Sequence, residues 1–392
     1  MNESFQRLMA HAAQSTRMGD LMEATARIQQ ALRAAGEADA PLSGATVPPA
    51  AWAHFTRGTA SSASSASTIS ATSDAFTVEG ETRVLHTEPA HDEPAAPRAE
   101  PPRRAQAQAP AGATPERWLD GQFTHGGRSL AYKLFVPTAS AAEAGVRRPL
   151  VVMLHGCTQS AADFAAGTQM NDRAREKGVI VLYPEQAQRA NAQRCWNWFK
   201  PQHQRRSQGE PAVLEAMVRQ VMADEAVDPD RVFVAGLSAG GAMADILGQC
   251  YPDTFAGVAV HSGLPAGSAT DMVTALGVMQ TGPRAAPQRT AAQGVPTIVL
   301  HGDADTTVHA RNGEAVVQAA RAGASSGAVP QVVKGRSPRG QGFTQTVYTD
   351  GEGRPSTEHW QLHGAGHAWS GGSAQGSYTQ PAGMDASAEI LR

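Results

Sequence analysis

The chain has 392 residues and a formal net charge of −3 at pH 7, from 33 Lys and Arg against 36 Asp and Glu. This near balance gives no argument for a nucleic-acid partner or for binding to an anionic membrane surface. No segment reaches the ~20 consecutive apolar residues that a membrane-spanning helix needs, so we expect no membrane span.

The start of the chain indicates location and a possible docking helix. Residues 1–7 include an early acid, and no apolar run of signal-peptide length follows. We therefore expect a cytoplasmic protein, with export by another route left open. Arg17 to Ala35 carries a helical apolar stripe, so residues 1–36 form a predicted helical segment. It is either a marginal helix that is stable only when docked or a segment that associates with polymer granules.

Composition divides the rest of the chain in two. Residues 37–114 are dense in Ala, Ser, Thr, Pro and Glu, with few large apolar side chains. Such a segment cannot bury enough apolar surface to offset the entropy of ordering, which predicts a disordered linker. Residues 115–392 are long enough for one full hydrophobic core, and we expect a single catalytic domain there.

Strands and helices alternate along this predicted domain, which indicates an α/β fold with a mostly parallel, doubly wound sheet. The expected strands are 130–136, 150–154, 179–183, 232–234, 255–261, 297–301 and a final stranded region within 344–362. The expected helices are 161–177 with Gly178 as its C-cap, 210–226, the segment after residue 238, part of 265–293, and 385–391. In such sheets the chemistry lies at the carboxyl ends of the strands.

The strand Val232-Phe-Val234 leads directly into Gly236-Leu-Ser-Ala-Gly240, the G-x-S-x-G pattern. An amphipathic helix follows, with apolar residues at helical spacing. Strand, sharp turn and helix together are typical of a nucleophile elbow, and we predict that Ser238 is the nucleophile. The alternative is a chance Gly/Ser turn in a chain rich in small residues.

A serine hydroxyl is a weak nucleophile, so it needs a base in hydrogen-bond reach and an acid that orients the base. Asp305 is the predicted acid, because its segment resembles the H-G-x-x-D-x-x-V signature of many α/β hydrolases; Asp303 is expected to make a turn hydrogen bond. His367, preceded by small residues, is the predicted base, and His363 is the runner-up. The order Ser, acid, His is the one found in α/β hydrolases.

An oxyanion hole needs two backbone N–H donors. We expect them from Ala239, the residue after the nucleophile, and from Cys157 in the loop after residues 150–154. Cys157 and Cys195 could form a disulfide, but the absence of a signal peptide favours two free thiols. Cys250 is expected to be a small buried apolar residue of the helix after the elbow. Cys157 as the nucleophile is the weaker alternative, because the elbow positions a serine better.

Two tryptophans are candidate substrate-binding residues. Trp196 and Trp369 are expected to present flat apolar faces to an acyl chain, whereas Trp198 is at least as well explained by core packing. The histidines are scattered without ligand spacing, so we expect no metal site. The chain also has no phosphate-binding loop and no dinucleotide fingerprint, and we expect no cofactor.

Several segments together resemble the polyhydroxybutyrate (PHB) depolymerase family of esterases, and the resemblance covers essentially all of 115–392. These segments are Leu154-His-Gly-Cys-Thr-Gln159, Cys195-Trp-Asn-Trp-Phe199, Gly236–Gly240, Cys250-Tyr-Pro-Asp253, His301-Gly-Asp-Ala-Asp305 and Gly366-His-Ala-Trp-Ser-Gly-Gly372. The resemblance implies an α/β-hydrolase fold, a triad of Ser238, Asp305 and His367, and an oxyanion hole lined by Cys157. It also implies cleavage of short-chain polyhydroxyalkanoates or smaller esters.

Three functions follow as expectations. The first is an esterase that acts on poly-3-hydroxybutyrate, as amorphous granules, or on its oligomers. The second is a feruloyl or acetyl esterase of polysaccharides, because related members of the family have those substrates. The third is a binding protein that the N-terminal segment tethers to polymer granules. For each of the three functions, we expect the molecule that the protein binds to be a polyester or a small ester.

Overall fold

The computed structural model describes residues 115–139, 145–287, 294–322 and 329–392. The predicted N-terminal helical segment and the predicted linker lie outside these ranges, as does the proposed granule-binding role of residues 1–36. The predicted catalytic domain lies largely within them.

The strands are β1 (Arg117–His125), β2 (Arg128–Val136), β3 (Arg148–Leu154), β4 (Ile180–Glu185), β5 (Val227–Leu237), β6 (Gly257–His261), β7 (Thr297–Gly302), β8 (Gln331–Arg336), β9 (Gly342–Thr349), β10 (Pro355–Leu362), β11 (Trp369–Ser370) and β12 (Thr379–Gln380). The helices are α1 (Ala161–Thr168), α2 (Met170–Lys177), α3 (Gly209–Asp224), α4 (Ala239–Cys250), α5 (Met272–Thr281), α6 (Arg311–Arg321) and α7 (Ala386–Ile390), with a 3₁₀ turn at Pro201–His203.

Ten strands form one sheet in the order β1-β2-β4-β3-β5-β6-β7-β10-β9-β8. The six strands from β4 to β10 in this order run parallel, and antiparallel strands complete both edges. This confirms the predicted α/β class and the parallel centre of the sheet. The carboxyl ends of β3, β5, β6, β7 and β10 therefore lie along one edge, where the loops of the candidate site meet.

Helices cover both faces of the sheet, because the central strands are apolar on both sides. In β3, Leu150, Val152 and Leu154 belong to the core that packs on α3 and α4. The intervening Val151 and Met153 belong to the core that packs on α1, α2 and α7. This alternation is the two-residue period of a strand that is buried on both faces.

The structure corrects some predicted boundaries. The predicted helix 161–177 is two helices, because Gln169 between them is left-handed with φ 52°. Gly178 is the left-handed C-cap of α2, as predicted. The sequence prediction missed β1, β8, α6 and the two-residue strands β11 and β12. β1 and β8 are largely solvent-exposed at the sheet edges, so neither carries the apolar run that marked the central strands.

The start of α4 lies against the end of β3 with no spare room. A Cβ on Gly240 would come within 2.0 Å of the Leu154 carbonyl oxygen and 2.6 Å of the His155 carbonyl oxygen. Both neighbours are backbone atoms, which cannot move aside as the tip of a side chain can. Glycine at this position is therefore required for the elbow to approach the loop after β3.

We predict that Gly240→Ala lowers the free energy of unfolding by about 3 kcal/mol or more, because overpacking against backbone forces α4 away from β3. Gly277→Ala is the matched control, since a Cβ there, on α5, meets nothing within 4 Å. That change should raise the free energy of unfolding by ~1 kcal/mol through helix propensity. Urea denaturation of both variants checks this, and equal midpoints would contradict it.

Candidate functional site

Ser238 lies on a sharp turn between β5 and α4. Its backbone has φ 58° and ψ −120°, a conformation that non-glycine residues adopt only under constraint. The constraint is visible: the Ser238 N–H donates to the His261 carbonyl at 2.9 Å, and Ala242 N–H donates to the Ser238 carbonyl at 2.9 Å. Ser238 is 8% exposed, so the loops around it restrict access to its side chain.

The acid loop follows β7. The Oδ1 atom of Asp305 accepts the backbone N–H groups of Thr307 at 2.9 Å and Val308 at 2.8 Å. Its Oδ2 atom accepts the Nδ1–H of His367 at 2.7 Å. The Nε2 of His301 lies 3.5 Å from the same Oδ2 and donates to the Val308 carbonyl at 2.8 Å. The structure thus pairs the predicted acid with the predicted base.

The charge of Asp305 is stabilised where it lies. Burial works to raise the pKa of this carboxyl, but the adjacent His301 ring, the hydrogen bond from His367 and the Val308 amide outweigh it and hold the pKa well below its usual range. A carboxylate that stays ionised keeps the Nδ1–H of His367 directed toward it. The Nε2 atom of that ring is then left as the basic nitrogen.

The runner-up residues form a separate pair. The Nδ1–H of His363 donates to Oδ2 of Asp303 at 2.9 Å, and Gly364 N–H donates to Oδ1 of Asp303 at 2.7 Å. Both side chains are about half exposed, at 46% and 48%. The Asp303 carboxylate therefore anchors the loop after β10, which corrects the expectation of a local turn hydrogen bond.

His261 joins the elbow to the loop of His367, and sequence reasoning missed it. Its carbonyl holds Ser238, and its Nε2 accepts the N–H of Ser370 at 3.0 Å. The Trp369 ring stacks on the imidazole, with 5.1 Å between ring centroids. Burial lowers the pKa of His261 to about 3, so the ring is neutral and free to accept. The available signal was its place at the end of the predicted strand 255–261, but the sequence does not show that this strand lies beside the elbow strand.

The predicted oxyanion loop is fixed through His155. The His155 Nε2 accepts the N–H of Gln186 at 3.0 Å, so its Nδ1–H donates to the Gly156 carbonyl at 2.7 Å. Gly156 lies close to the elbow, since a Cβ there would be 3.6 Å from the Ser238 Cβ. Within the described ranges, the Cys157 N–H has no hydrogen-bond partner. The Ala239 N–H belongs to the first turn of α4, where amides have no intrahelical carbonyl.

A buried carboxylate, Glu210, supports this loop through hydrogen bonds with Gln186 and Asn197. It accepts Asn197 N–H at 2.8 Å, Asn197 Nδ2 at 2.6 Å and Gln186 Nε2 at 2.7 Å. Burial would raise the pKa of Glu210, but the hydrogen bonds, the largest from His203, lower it. Gln186 in turn holds His155 through its own N–H. The network therefore links the Cys195–Phe199 segment to the oxyanion loop.

Cys157 and Cys195 form a disulfide, which corrects the expectation of two free thiols. Their Cα atoms are 4.2 Å apart across a separation of 38 residues. The backbone pairing of Thr158 N–H with the Gln193 carbonyl, at 2.6 Å, brings the two loops together. Cys250 is a free thiol that packs against the core, and burial raises its pKa to about 11.

The structure also corrects the prediction for the two tryptophans. Trp196 and Trp369 are both 0% exposed and present no face to an acyl chain. The Nε1–H of Trp196 donates to the His155 carbonyl at 3.1 Å. Trp369 packs between His261 and Phe164. Both rings hold the loops of the site in place. Trp198 is buried in the core, consistent with packing.

Within the described ranges, no group of three or more His, Cys, Asp or Glu side chains could hold a metal ion. Among the helices of those ranges, none is long and apolar enough to cross a membrane.

A parallel central sheet with a serine elbow and a late acid–histidine pair defines an α/β hydrolase. An acetyl xylan esterase from Aspergillus awamori shares this fold at a TM-score of 0.51 and 21% identity, over 61% of this chain and 89% of that one. The family model described as "Esterase PHB depolymerase" matches residues 130–325. The chain belongs to this family, as its sequence motifs indicated.

Two curated relatives have names that specify different ester substrates. Poly(3-hydroxyalkanoate) depolymerase C of Paucimonas lemoignei is 35% identical over 243 residues, which cover 59% of this chain and 56% of that protein. Feruloyl esterase B of Thermothelomyces thermophilus is 33% identical over 148 residues, covering 38% of this chain and 47% of that protein. The chain thus spans about half the length of the curated relatives it matches.

We predict that Cys157→Ala/Cys195→Ala lowers the free energy of unfolding by ~4 kcal/mol, because the disulfide closes a loop of 38 residues. The double variant should also have lower ester-hydrolysis activity if that activity depends on the Cys157 amide. Cys250→Ser is the matched control and should retain both properties. Thiol titration of the denatured protein should find one thiol before reduction and three after it. Three thiols before reduction would contradict the disulfide.

Proposed function

We propose that the chain is a serine esterase that works through an acyl-enzyme. Ser238 attacks the ester carbonyl, and the Nε2 of His367 takes the serine proton and later gives one to the leaving alcohol. Water then attacks the acyl-enzyme, with His367 again as the base. Asp305 fixes the tautomer of His367 and stabilises its charged form. The observation that carries this proposal is the buried Asp305–His367 hydrogen bond of 2.7 Å.

Proximity of the base to the nucleophile is supported by the residues between them. His261 holds the Ser238 amide through its carbonyl and the Ser370 amide through its ring. Ser370 is three residues beyond His367, so one residue supports both the elbow and the loop that carries the base. We assign the oxyanion hole to the amides of Cys157 and Ala239, which flank the serine from the β3 loop and from α4.

The substrate we propose is a short-chain polyhydroxyalkanoate, poly-3-hydroxybutyrate or its oligomers. The supporting observation is the likeness to depolymerases over 243 residues, a longer stretch than the 148 residues shared with the feruloyl esterase. Feruloyl or acetyl esters of polysaccharides are the second candidate, favoured by that shorter likeness. Association with granules through residues 1–36 and a cytoplasmic location stay predictions.

Ser238→Ala should lower kcat/KM on 3-hydroxybutyrate oligomers by ~10⁴-fold or more, because the nucleophile is removed while the fold is kept. The measurement compares these oligomers with feruloyl and acetyl model esters in the wild-type protein, with the variant as the blank. The hydroxybutyrate esters should give the highest kcat/KM.

The two parts of this test fail separately. A Ser238→Ala protein that retains more than a few per cent of wild-type activity would show that the nucleophile is misassigned. If the wild-type protein prefers feruloyl or acetyl esters and the variant does not hydrolyse them, the proposed mechanism stands. The substrate would then be an ester of a polysaccharide. Circular dichroism of the variant should match that of the wild type.

Asp305→Asn should lower kcat by ~10³–10⁴-fold, because the amide can still accept from Thr307 and Val308 but no longer orients His367 in the right tautomer. Asp303→Asn is the matched control: it changes an aspartate two residues away that also pairs with a histidine. That variant should retain kcat within ~3-fold, since its pair is half exposed. Equal losses of kcat in both variants would show that Asp305 does not have the proposed role of orienting His367.

A further inference from the structure

Two exposed residues beside the proposed oxyanion hole have strained backbones. Thr158 has φ 66° and Tyr378 has φ 52°, both in the left-handed region that favours glycine. For Thr158 the branch at Cβ makes this conformation especially unfavourable. Strain of this kind persists only where the surrounding structure enforces it, and it concentrates at functional sites.

The two residues touch each other across 220 positions of sequence. The Tyr378 hydroxyl lies 3.3 Å from the Thr158 Oγ1, and that Oγ1 donates to the Cys157 carbonyl at 2.6 Å. Because the Thr158 hydroxyl hydrogen is used there, its oxygen is left to accept from Tyr378. The aromatic side chain is thus fixed to the residue that follows Cys157.

The backbone of Tyr378 is held from the opposite side by the loop of the proposed base. Trp369 is two residues after His367, and its N–H donates to the Tyr378 carbonyl at 2.7 Å. The preceding residue, Ser377, is fixed as well: its carbonyl accepts Gln159 Nε2 at 3.0 Å and its Oγ donates to Asp163 at 2.6 Å. Tyr378 therefore connects the oxyanion loop with the histidine loop, and Ser238 lies against the oxyanion loop at Gly156.

None of these contacts covers the ring itself. Tyr378 remains 48% exposed although its hydroxyl and its backbone are both fixed. Among the described Phe, Tyr and Trp residues, the other exposed ring is Trp118, at 42%, and it lies on the edge strand β1. The two tryptophans that the sequence suggested for substrate binding are buried. A rigid aromatic face at the site is thus supplied by Tyr378.

We propose that Tyr378, with Thr158 under its hydroxyl, forms a binding subsite for the alkyl-substituted hydroxyacyl chain of the substrate next to the scissile ester. An aromatic face that is already fixed gains apolar contact with methyl and methylene groups at little cost in side-chain entropy. An acetyl group is too short to use much of this face. The inference rests on the proposed function and deepens it, since it names the residue that discriminates between acyl groups.

Tyr378→Gly is the sharpest test, because glycine adopts φ 52° without strain while the ring is lost. In the variant, kcat/KM for a 3-hydroxybutyrate trimer should fall ~10-fold, mostly through KM, because apolar contact with the bound chain is lost. The value for p-nitrophenyl acetate should fall less, so the trimer-to-acetate ratio drops at least ~5-fold. Melting temperature should stay near that of the wild type, since relief of strain offsets the flexibility of glycine.

Gln169→Gly is the matched control. Gln169 has the same φ of 52° and is exposed, and its side chain caps neither α1 nor α2. It should keep the wild-type trimer-to-acetate ratio. Tyr378→Phe keeps the ring and loses its hydrogen bond to Thr158, so it should lower the ratio by no more than ~2-fold, because the apolar face that makes the contact remains.

An unchanged ratio in Tyr378→Gly would overturn the subsite, as would a loss confined to kcat together with a fall in melting temperature. Those results would mean that Tyr378 only supports the loop. This failure is distinct from that of the proposed function, which depends on whether Ser238→Ala abolishes hydrolysis of either ester.

Discussion

The arrangement of the site depends on one buried charge, the carboxylate of Asp305. An ionised carboxylate away from water is tolerated only where it is hydrogen-bonded on both oxygens. Here the turn after β7 supplies two amides to one oxygen, and histidines from β7 and from the loop after β10 lie at the other. Because the folded pKa of Asp305 lies below the unfolded value, its stabilising effect is present above the unfolded pKa and is lost as pH falls through the folded pKa. The charge that orients the proposed base, His367, thus also holds the loop that carries it.

Around this charge, the aromatic residues serve as supports. Trp369 stacks on a neutral His261, and Trp196 donates to the carbonyl of His155, so each indole fixes a histidine at the end of a different strand. A fully buried indole has little mobility, and its contacts therefore restrain the positions of the backbone N–H donors beside it. Catalysis by fixed dipoles requires this kind of support, since donors that must reorganise during the reaction lose much of their effect.

The sequence was sufficient for features that depend on local rules and insufficient for features set by distant contacts. The two-sided apolar run of β3 and the strand–turn–helix around Ser238 follow from local patterns, and both appear in the structure. The pairing of Asp305 rather than Asp303 with His367 was expected from a motif, and the geometry agrees with it. The burial of Trp196 and Trp369 could not be predicted from the sequence. A tryptophan beside a catalytic motif is compatible with a side chain that faces the cleft and with one that faces the core. The role of His261 depends on which strand lies beside β5, which is a property of the whole sheet.

The Cys157–Cys195 disulfide forms in a chain whose sequence has no recognised export signal, so that signal does not determine whether the two cysteines pair. The sequence favours free thiols because no export signal is recognised, and only the folded structure brings the segments of Cys157 and Cys195 together. The structure holds the Cys157 segment by covalent attachment to Cys195, by the Thr158 amide on Gln193, and by Gln159, whose Oε1 accepts the Gly156 amide at 2.8 Å. Three independent restraints on four consecutive residues fix the direction of the Cys157 N–H. An amide that is held this firmly, without a partner among the described residues, meets the requirement of the proposed oxyanion hole for a fixed N–H donor.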